Sequence, residues 1–252
     1  MTTPNISIPE ALTRYANGEF LIVVDDLDRE NEGDLMLLAT QATPEKVAFM
    51  VTHTTGILCV ALTKSRAREL NLPLMVENNE DQRRTAFTVA VDFAPGVTTG
   101  VSAIERARTI RALGESSTSP KDLTRPGHIY PLVAHDQVLL GRQGHTEAAI
   151  AMACLVGAQP VGLLCEIVNE DGSMSRLPDL EKFAEAHGLP LITMEALADY
   201  ARSKNLAAFK AVVPSLVWAD LPIDGANWRI ASFTNSAGID HAIVALGDVS
   251  SG

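Results

Sequence analysis

Cysteine is scarce in this 252-residue sequence: Cys59, Cys154 and Cys165 are an odd number without metal-type spacing. That excludes a disulfide framework and a four-cysteine zinc site, and leaves free thiols in a reducing, cytoplasmic compartment as the expectation. Long apolar runs are absent, none approaching the ~18–20 residues needed to cross a bilayer. The opening "MTTPNISIPEALTRY" lacks a basic region followed by an apolar stretch, so no secretory signal is expected. Positive charge is also in short supply, with 20 Lys and Arg against 31 Asp and Glu and a net charge of −11. This argues against broad binding to nucleic acid or anionic membranes. An anionic ligand would have to be held by a few local arginines, by helix N-termini or by a metal ion.

The 46% hydrophobic content is ample for a sizeable core, in one large domain or two modest ones. Residues 7–20 read as a short helix with Pro9 in its first turn. The runs "FLIVV" (20–24), "DLMLLA" (34–39), "ILCVAL" (57–62) and "AFTVAVD" (86–92) read as strands, as do "GHIYPLVA", "VGLLCEIV" and "LPLITM". Helical spacing appears after Thr43, after Ser102, where Glu105 three residues on suggests a capping box, and in "HTEAAIAMACLVG", "LEKFAEAHG" and "MEALADYARSK". Strands alternating with helices predict an α/β or mixed α-β-α fold without internal repeats. After about Asn205 the pattern changes to short β-like pieces, "AVVPSLVWADLP" and "NWRIASF".

Two stretches carry chemistry. "DDLDRENEGDLM" (25–36) sets six carboxylates around Arg29, directly after a buried strand. The plain reading is a solvated acidic turn. The sharper one notes that Glu30, Glu32 and Asp34 share a face in extended backbone and that Gly33 permits close approach. Three converging carboxylates repel unless a cation, Arg29 or a shared proton intervenes, and a hard divalent ion such as Mg²⁺ prefers such oxygens. An Asp-x-Asp phosphatase motif at Asp26 and Asp28 fits poorly, because Glu30 stands where Thr or Val is expected.

The second stretch, "GRQGHTEA" (141–148), opens a helix whose free N–H groups favour anions, with Arg142 to add a charged hydrogen bond and His145 an imidazole. Glu166, in the apolar run "VGLLCEIV", is either a proton-transfer acid or a structural partner of an arginine. On spacing alone His128 is a turn histidine just before a strand, and Cys59 a core residue.

Taken in order, "DDLDRENEGDLM", "TAFTVAVD", "GVTTGVSAIERARTI", "RPGHIYPL", "GRQGHTEAAI", "CEIVNEDGSMSRLPDL" and "FAEAHGLPLIT" closely resemble 3,4-dihydroxy-2-butanone-4-phosphate synthase over residues 7–205. The resemblance implies a three-layer α-β-α sandwich with a mixed sheet, a homodimer with active sites near the subunit interface, and conversion of ribulose 5-phosphate to a four-carbon phosphate plus formate. It makes Glu30 and His145 ligands of Mg²⁺ (or Mn²⁺). It places Arg29, Glu30, Asp34, Arg142, Gln143, Gly144, His145, Thr146 and Glu166 against substrate. Glu166, His128, Glu32 and Asp34 are the implied catalytic set. Thr88, Asp92 and Thr109 lie in matching motifs without assigned roles, and Cys59 matches a position near the site. The chain departs from the family at Ala151, where an acid is usual. Residues 206–252 form a short β-rich appendage resembling the truncated start of GTP cyclohydrolase II. No cysteine follows Cys165 to build that enzyme's zinc site, so its activity is not expected.

Overall fold

Helix starts in this protein are written in short polar side chains. Ser7 accepts the Glu10 N–H to open α1 (Ile8–Ala16), with Pro9 in the first turn. A computed structural model describes residues 6–26, 28–204, 219–223, 226–234 and 240–246. After α1 come β1 (Leu21–Val24), β2 (Gly33–Leu38), α2 (Pro44–His53), β3 (Cys59–Leu62) and α3 (Lys64–Glu69). Next are β4 (Val91–Phe93), α4 (Ala103–Gly114), β5 (Leu123–Val133), α5 (His145–Leu155), β6 (Val161–Glu166), α6 (Leu177–His187), β7 (Leu191–Thr193) and α7 (Met194–Ser203). Thr43, Thr63, Ser102 and Thr193 cap α2, α3, α4 and α7 in the manner of Ser7. At α4 the expected capping box closes differently: the Glu105 carboxylate takes the Ser102 hydroxyl and the N–H and hydroxyl of Thr98.

The strands form one seven-stranded mixed sheet in the order β4-β5-β3-β6-β2-β1-β7, with β1/β7 and β3/β5 parallel and the other pairs antiparallel. Alternate residues face opposite layers. Ile22, Val24, Leu35, Leu37, Val60, Leu62 and Leu163 join Val47, Met50, Ile110, Leu113 and Leu180 of α2, α4 and α6 in the main core. The other face packs under α5, flanked by α1 and α7. Both faces are covered, which is why the central strands read as unbroken apolar runs. The α5 helix lies close to the sheet because it presents alanines to Gly162, where a Cβ would stand 2.8 Å from the Ala149 Cβ. That approach carries the first residue of α5, His145, to the end of β1 and β2.

Two expected elements differ. The strand predicted over 86–92 is confined to Val91–Phe93, with isolated bridges at Phe87 and Thr88. The facing strand β5 contains Pro126 and Pro131, which have no N–H to offer a regular ladder, and a bulge lies between Val91 and Asp92. The α6 helix begins at Leu177 rather than Leu180, because Asp179 accepts the Arg176 N–H one turn earlier.

Gly127 of β5 sits against the bulge. A Cβ there would stand 1.9 Å from the Val91 carbonyl carbon and 2.2 Å from the Asp92 nitrogen. Gly127→Ala must therefore lift β4 off the sheet, and a loss of about 3 kcal/mol in unfolding free energy is expected from denaturant titration. An unchanged midpoint would contradict the strand contact.

Contacts divide the chain into Met1–Ala207 and Ala208–Gly252. The second unit contains a three-stranded antiparallel sheet of β8 (Ala219–Ile223), β9 (Ala226–Thr234) and β10 (Asp240–Leu246), with β9 central. Residues 211–218 of the β-like "AVVPSLVWADLP" lie outside the described residues. No described helix is long and apolar enough to cross a membrane.

Candidate active site

The acidic stretch folds around a residue that its spacing does not single out. Asp25, the first residue beyond β1, is 5% exposed. Its Oδ2 accepts the Glu30 N–H (3.1 Å) and Arg29 Nη1 (2.7 Å), and its Oδ1 accepts the Glu32 N–H (2.9 Å). One buried carboxylate thus fixes the backbone at Glu30 and Glu32, with Asn31 between them in the left-handed region at φ 53°. The Arg29 guanidinium bridges Asp25 and Glu30. Two distant arginines complete the neutralisation. Arg83 donates to the Arg29 carbonyl and lies 3.4 Å from Glu30 Oε1, while Arg176 donates to the carbonyls of Glu30 and Asn31 and lies 3.5 Å from Glu32 Oε1. The turn is therefore no freely solvated acidic patch.

His145 meets this loop from α5. Its Nε2 lies 3.1 Å from the Val23 carbonyl, which can only accept, so Nε2 carries the proton and Nδ1 keeps its lone pair. Nδ1 points at 3.3 Å to Asp34 Oδ1 and at 3.9 Å to Glu30 Oε2. Burial, opposed by the Asp25 carboxylate and reinforced by Arg29, pushes the imidazole pKa down to about 4. Asp34 is 2% exposed, and burial followed by repulsion from Glu166 and Glu30 pushes its carboxyl well above the usual range. With His145 neutral, its approach to Asp34 is thus no ion pair, and Asp34 Oδ1 is left without a hydrogen-bond partner.

Ligand atoms of Asp25, Glu30 and His145 all lie within 4.8 Å of one another. Two carboxylates, a neutral imidazole lone pair and an orphaned buried oxygen form a donor set that fits a hard divalent cation. The pair expected from sequence, Glu30 and His145, is brought together; Asp25 is the addition. The signal that could have found it is its position, a first acid after a buried strand followed by turn N–H groups.

On the next strand Glu166 pairs in register with Asp34, so both carboxylates stand on the α5 face of the sheet. Thr55 Oγ1 donates to Glu166 Oε2 at 2.9 Å. The Glu32 carboxyl is raised, by burial first and by Glu30 and Glu166 among its neighbours, while Arg176 opposes the shift. Cys59 lies one strand further on and is buried. Its thiol is raised well above normal, by burial first and Glu166 second, so it remains an unreactive S–H beside the carboxylates.

Preceding α5, Arg142 Nη1 is held at 2.8 Å by the buried Glu147, and Gly144 occupies the N-cap without a side-chain acceptor. Arg142 and Thr146 line a cavity of about 450 Å³ together with Lys64, Arg68, Arg83 and Arg84. Its cationic wall and the adjoining helix start suit a phosphate. Gln143 is half-buried in the same turn.

His128 requires a correction: it lies inside β5, not in a turn before it. Its backbone N–H and Nδ1 both engage the Asp92 carboxylate, at 2.9 and 2.7 Å. In sheet order β5 is three positions from β2, roughly 14 Å at ~4.8 Å per strand. One chain therefore does not bring His128 to the Glu30–His145 cluster. The Thr88 and Thr109 hydroxyls serve backbone groups, donating to the carbonyls of Pro131 and Glu105. Ala151 is buried beside a void of about 10 Å³ bounded by residues 137–140 and Ala201, and it does not line the larger cavity.

The family model for 3,4-dihydroxy-2-butanone 4-phosphate synthase matches residues 9–200. The 3,4-dihydroxy-2-butanone 4-phosphate synthase of Agrobacterium fabrum is 49% identical over 197 residues, 78% of this chain and 92% of that protein. Riboflavin biosynthesis protein RibBA of Salinispora tropica is 44% identical over 247 residues, 98% of this chain but 60% of that longer relative. A solved 3,4-dihydroxy-2-butanone 4-phosphate synthase in complex with two magnesium ions matches with a TM-score of 0.77 at 38% identity, over 80% of this chain and 99% of that one.

Proposed function

The chain belongs to the 3,4-dihydroxy-2-butanone 4-phosphate synthase family of riboflavin biosynthesis, and on that premise we propose that it converts D-ribulose 5-phosphate to L-3,4-dihydroxy-2-butanone 4-phosphate and formate. The observation that carries the reading is the Nδ1 lone pair of His145 converging with the carboxylates of Glu30 and Asp34. Glu30 and His145, with Asp25 beside them, would hold Mg²⁺ or Mn²⁺. When bound, the ion polarises carbonyl and hydroxyl oxygens of the sugar. Arg142 and the open N-terminus of α5, from Gln143 through Thr146, bind the phosphate, and Arg29 and Glu32 border the sugar. Glu166 accepts the C–H proton whose loss gives the enediol. Asp34, whose carboxyl is pushed up by burial among carboxylates, is the proposed proton donor to the hydroxyl that leaves as water.

The assembly in this proposal is a cytoplasmic homodimer with sites near the subunit interface. It gives a role to the His128–Asp92 pair, which is three strands from Asp34 with a half-exposed imidazole. Residues 1–205 form the synthase and 206–252 a cyclohydrolase-II-like segment.

The test is formate release from ribulose 5-phosphate with Mg²⁺, repeated with EDTA. One formate per substrate consumed, lost on chelation, is expected. Inorganic phosphate without formate, or no turnover by the folded protein, would overturn the proposal.

A further inference from the structure

Thr55, two residues beyond α2, grips the end of β6 twice. Its N–H donates to the Glu166 carbonyl at 2.9 Å, and its hydroxyl donates to Glu166 Oε2 at 2.9 Å. The direction of the second bond follows from the donors available. Thr55 Oγ1 already accepts the Ile57 N–H at 3.4 Å, and its one proton has two neighbours within reach, the carboxylate and the Cys165 sulfur at 3.2 Å. Burial pushes the Cys165 thiol up to about 12, so it keeps its own proton, which is directed at the Ile57 carbonyl 3.4 Å away. The Thr54 hydroxyl is engaged by the Met50 carbonyl at 2.6 Å. A carboxylate oxygen is a stronger acceptor than a thiol sulfur, and the Thr55 proton goes there.

We propose that Thr55 is a positioning residue for the reaction: its hydroxyl occupies Oε2 of Glu166, fixes the carboxylate plane, and leaves Oε1 as the oxygen that moves the proton. This rests on the reading of Glu166 as the proton-transfer group. A glutamate at a strand end has three rotatable side-chain bonds, and misplacing a base by even an ångström is costly in rate. Thr55 itself contacts the carboxylate, so its loss should be read in kcat and not in substrate binding.

The experiment compares Thr55→Val, Thr55→Ser, Thr55→Ala and Glu166→Gln in the Mg²⁺-loaded full chain, reading formate release, KM and the thermal midpoint. Valine is expected to lower kcat ~10-fold, the scale of one charge-assisted hydrogen bond, with KM within about twofold and the midpoint unchanged. Serine is expected to restore the rate. If the valine variant does not fold, the alanine–serine comparison carries the same expectation. Full activity in Glu166→Gln would overturn the reading of Glu166 itself. An inactive Glu166→Gln beside an unaffected Thr55→Val would overturn the role of Thr55 alone. Serine as slow as valine, or a fall in midpoint and a rise in KM together, would reduce Thr55 to a packing residue and equally overturn it.

Discussion

Replacing His145 with alanine, or Glu30 with glutamine, is expected to lower Mg²⁺-dependent formate release at least about 10³-fold, the several kcal/mol that a divalent ion supplies by polarising reacting oxygens. The size follows from how little redundancy the site contains. His145 is the one nitrogen donor of the cluster, and its tautomer is set by the Val23 carbonyl so that Nδ1 faces the carboxylates. Removing the ring takes away both the ligand and the hydrogen bond that ties the start of α5 to β1. Glu30 has a different kind of partner: Arg29 and Arg83 both reach its carboxylate, and a neutral amide would leave two guanidiniums facing a site meant for a cation. Titration of Mn²⁺ followed by electron paramagnetic resonance gives a second readout independent of turnover. Both variants should bind Mn²⁺ at least ~10-fold more weakly while retaining the far-ultraviolet circular dichroism of the parent. Undiminished formate release by either variant would remove that residue from the metal site.

The elements that frame this site were legible because their signals are local. Unbroken apolar runs at residues 20–24, 57–62 and 161–165 mark strands covered on both faces, and Thr43 and Ser102 mark helix starts through bonds spanning three residues. The acidic loop and "GRQGHTEA" could be joined only through the family resemblance, since Asp34 and His145 are far apart in the chain. What spacing hid is long-range. Arg83 and Arg176 neutralise the acidic loop from 54 and 146 residues away through its carbonyl oxygens, and no charge pattern within 25–36 announces them. Without them the stretch reads as a solvated acidic turn; with them its carboxylates and carbonyls are paired. The short α3, "KSRARE", has too few apolar residues to show helical periodicity and depends on its Thr63 cap. His128 looked like a turn residue because proline and glycine precede it, yet β5 runs through both at the sheet's outer region, where a missing N–H is tolerated.

Asp34→Asn should make the metal-free protein more stable and the enzyme nearly inactive. Burial raises the Asp34 carboxyl above its unfolded value of 3.8, so the folded state binds this proton more tightly than the unfolded chain does. The resulting contribution to stability is fully present below that unfolded value and is lost as pH rises through the raised folded one. At neutral pH the folded protein therefore carries the cost of a buried carboxyl whose Oδ1 has no hydrogen-bond partner. His145 works in the opposite sense: its folded pKa is lowered from 6.5 to about 4, so its contribution is present above 6.5 and lost as pH falls through that window. An asparagine ends the first effect and leaves the second, and its amide can donate to the Nδ1 lone pair now 3.3 Å from Asp34 Oδ1. A gain of about 1–3 kcal/mol at pH 7–8 is expected, the scale of one unsatisfied buried polar atom. That gain should shrink toward acid pH, as the unfolded parent also comes to hold this proton. Formate release should fall on the order of 10²- to 10³-fold, because the amide has no proton to give to a leaving hydroxyl. Thermal unfolding of the metal-free parent and variant across pH 4–8 separates the possibilities. A variant less stable than the parent at pH 8 would show that the Asp34 carboxylate is compensated in the folded protein, and the strain ascribed to this site would have to be withdrawn. A more stable but inactive variant would mean that the fold bears the cost of an acid at position 34 for the sake of the chemistry beside it.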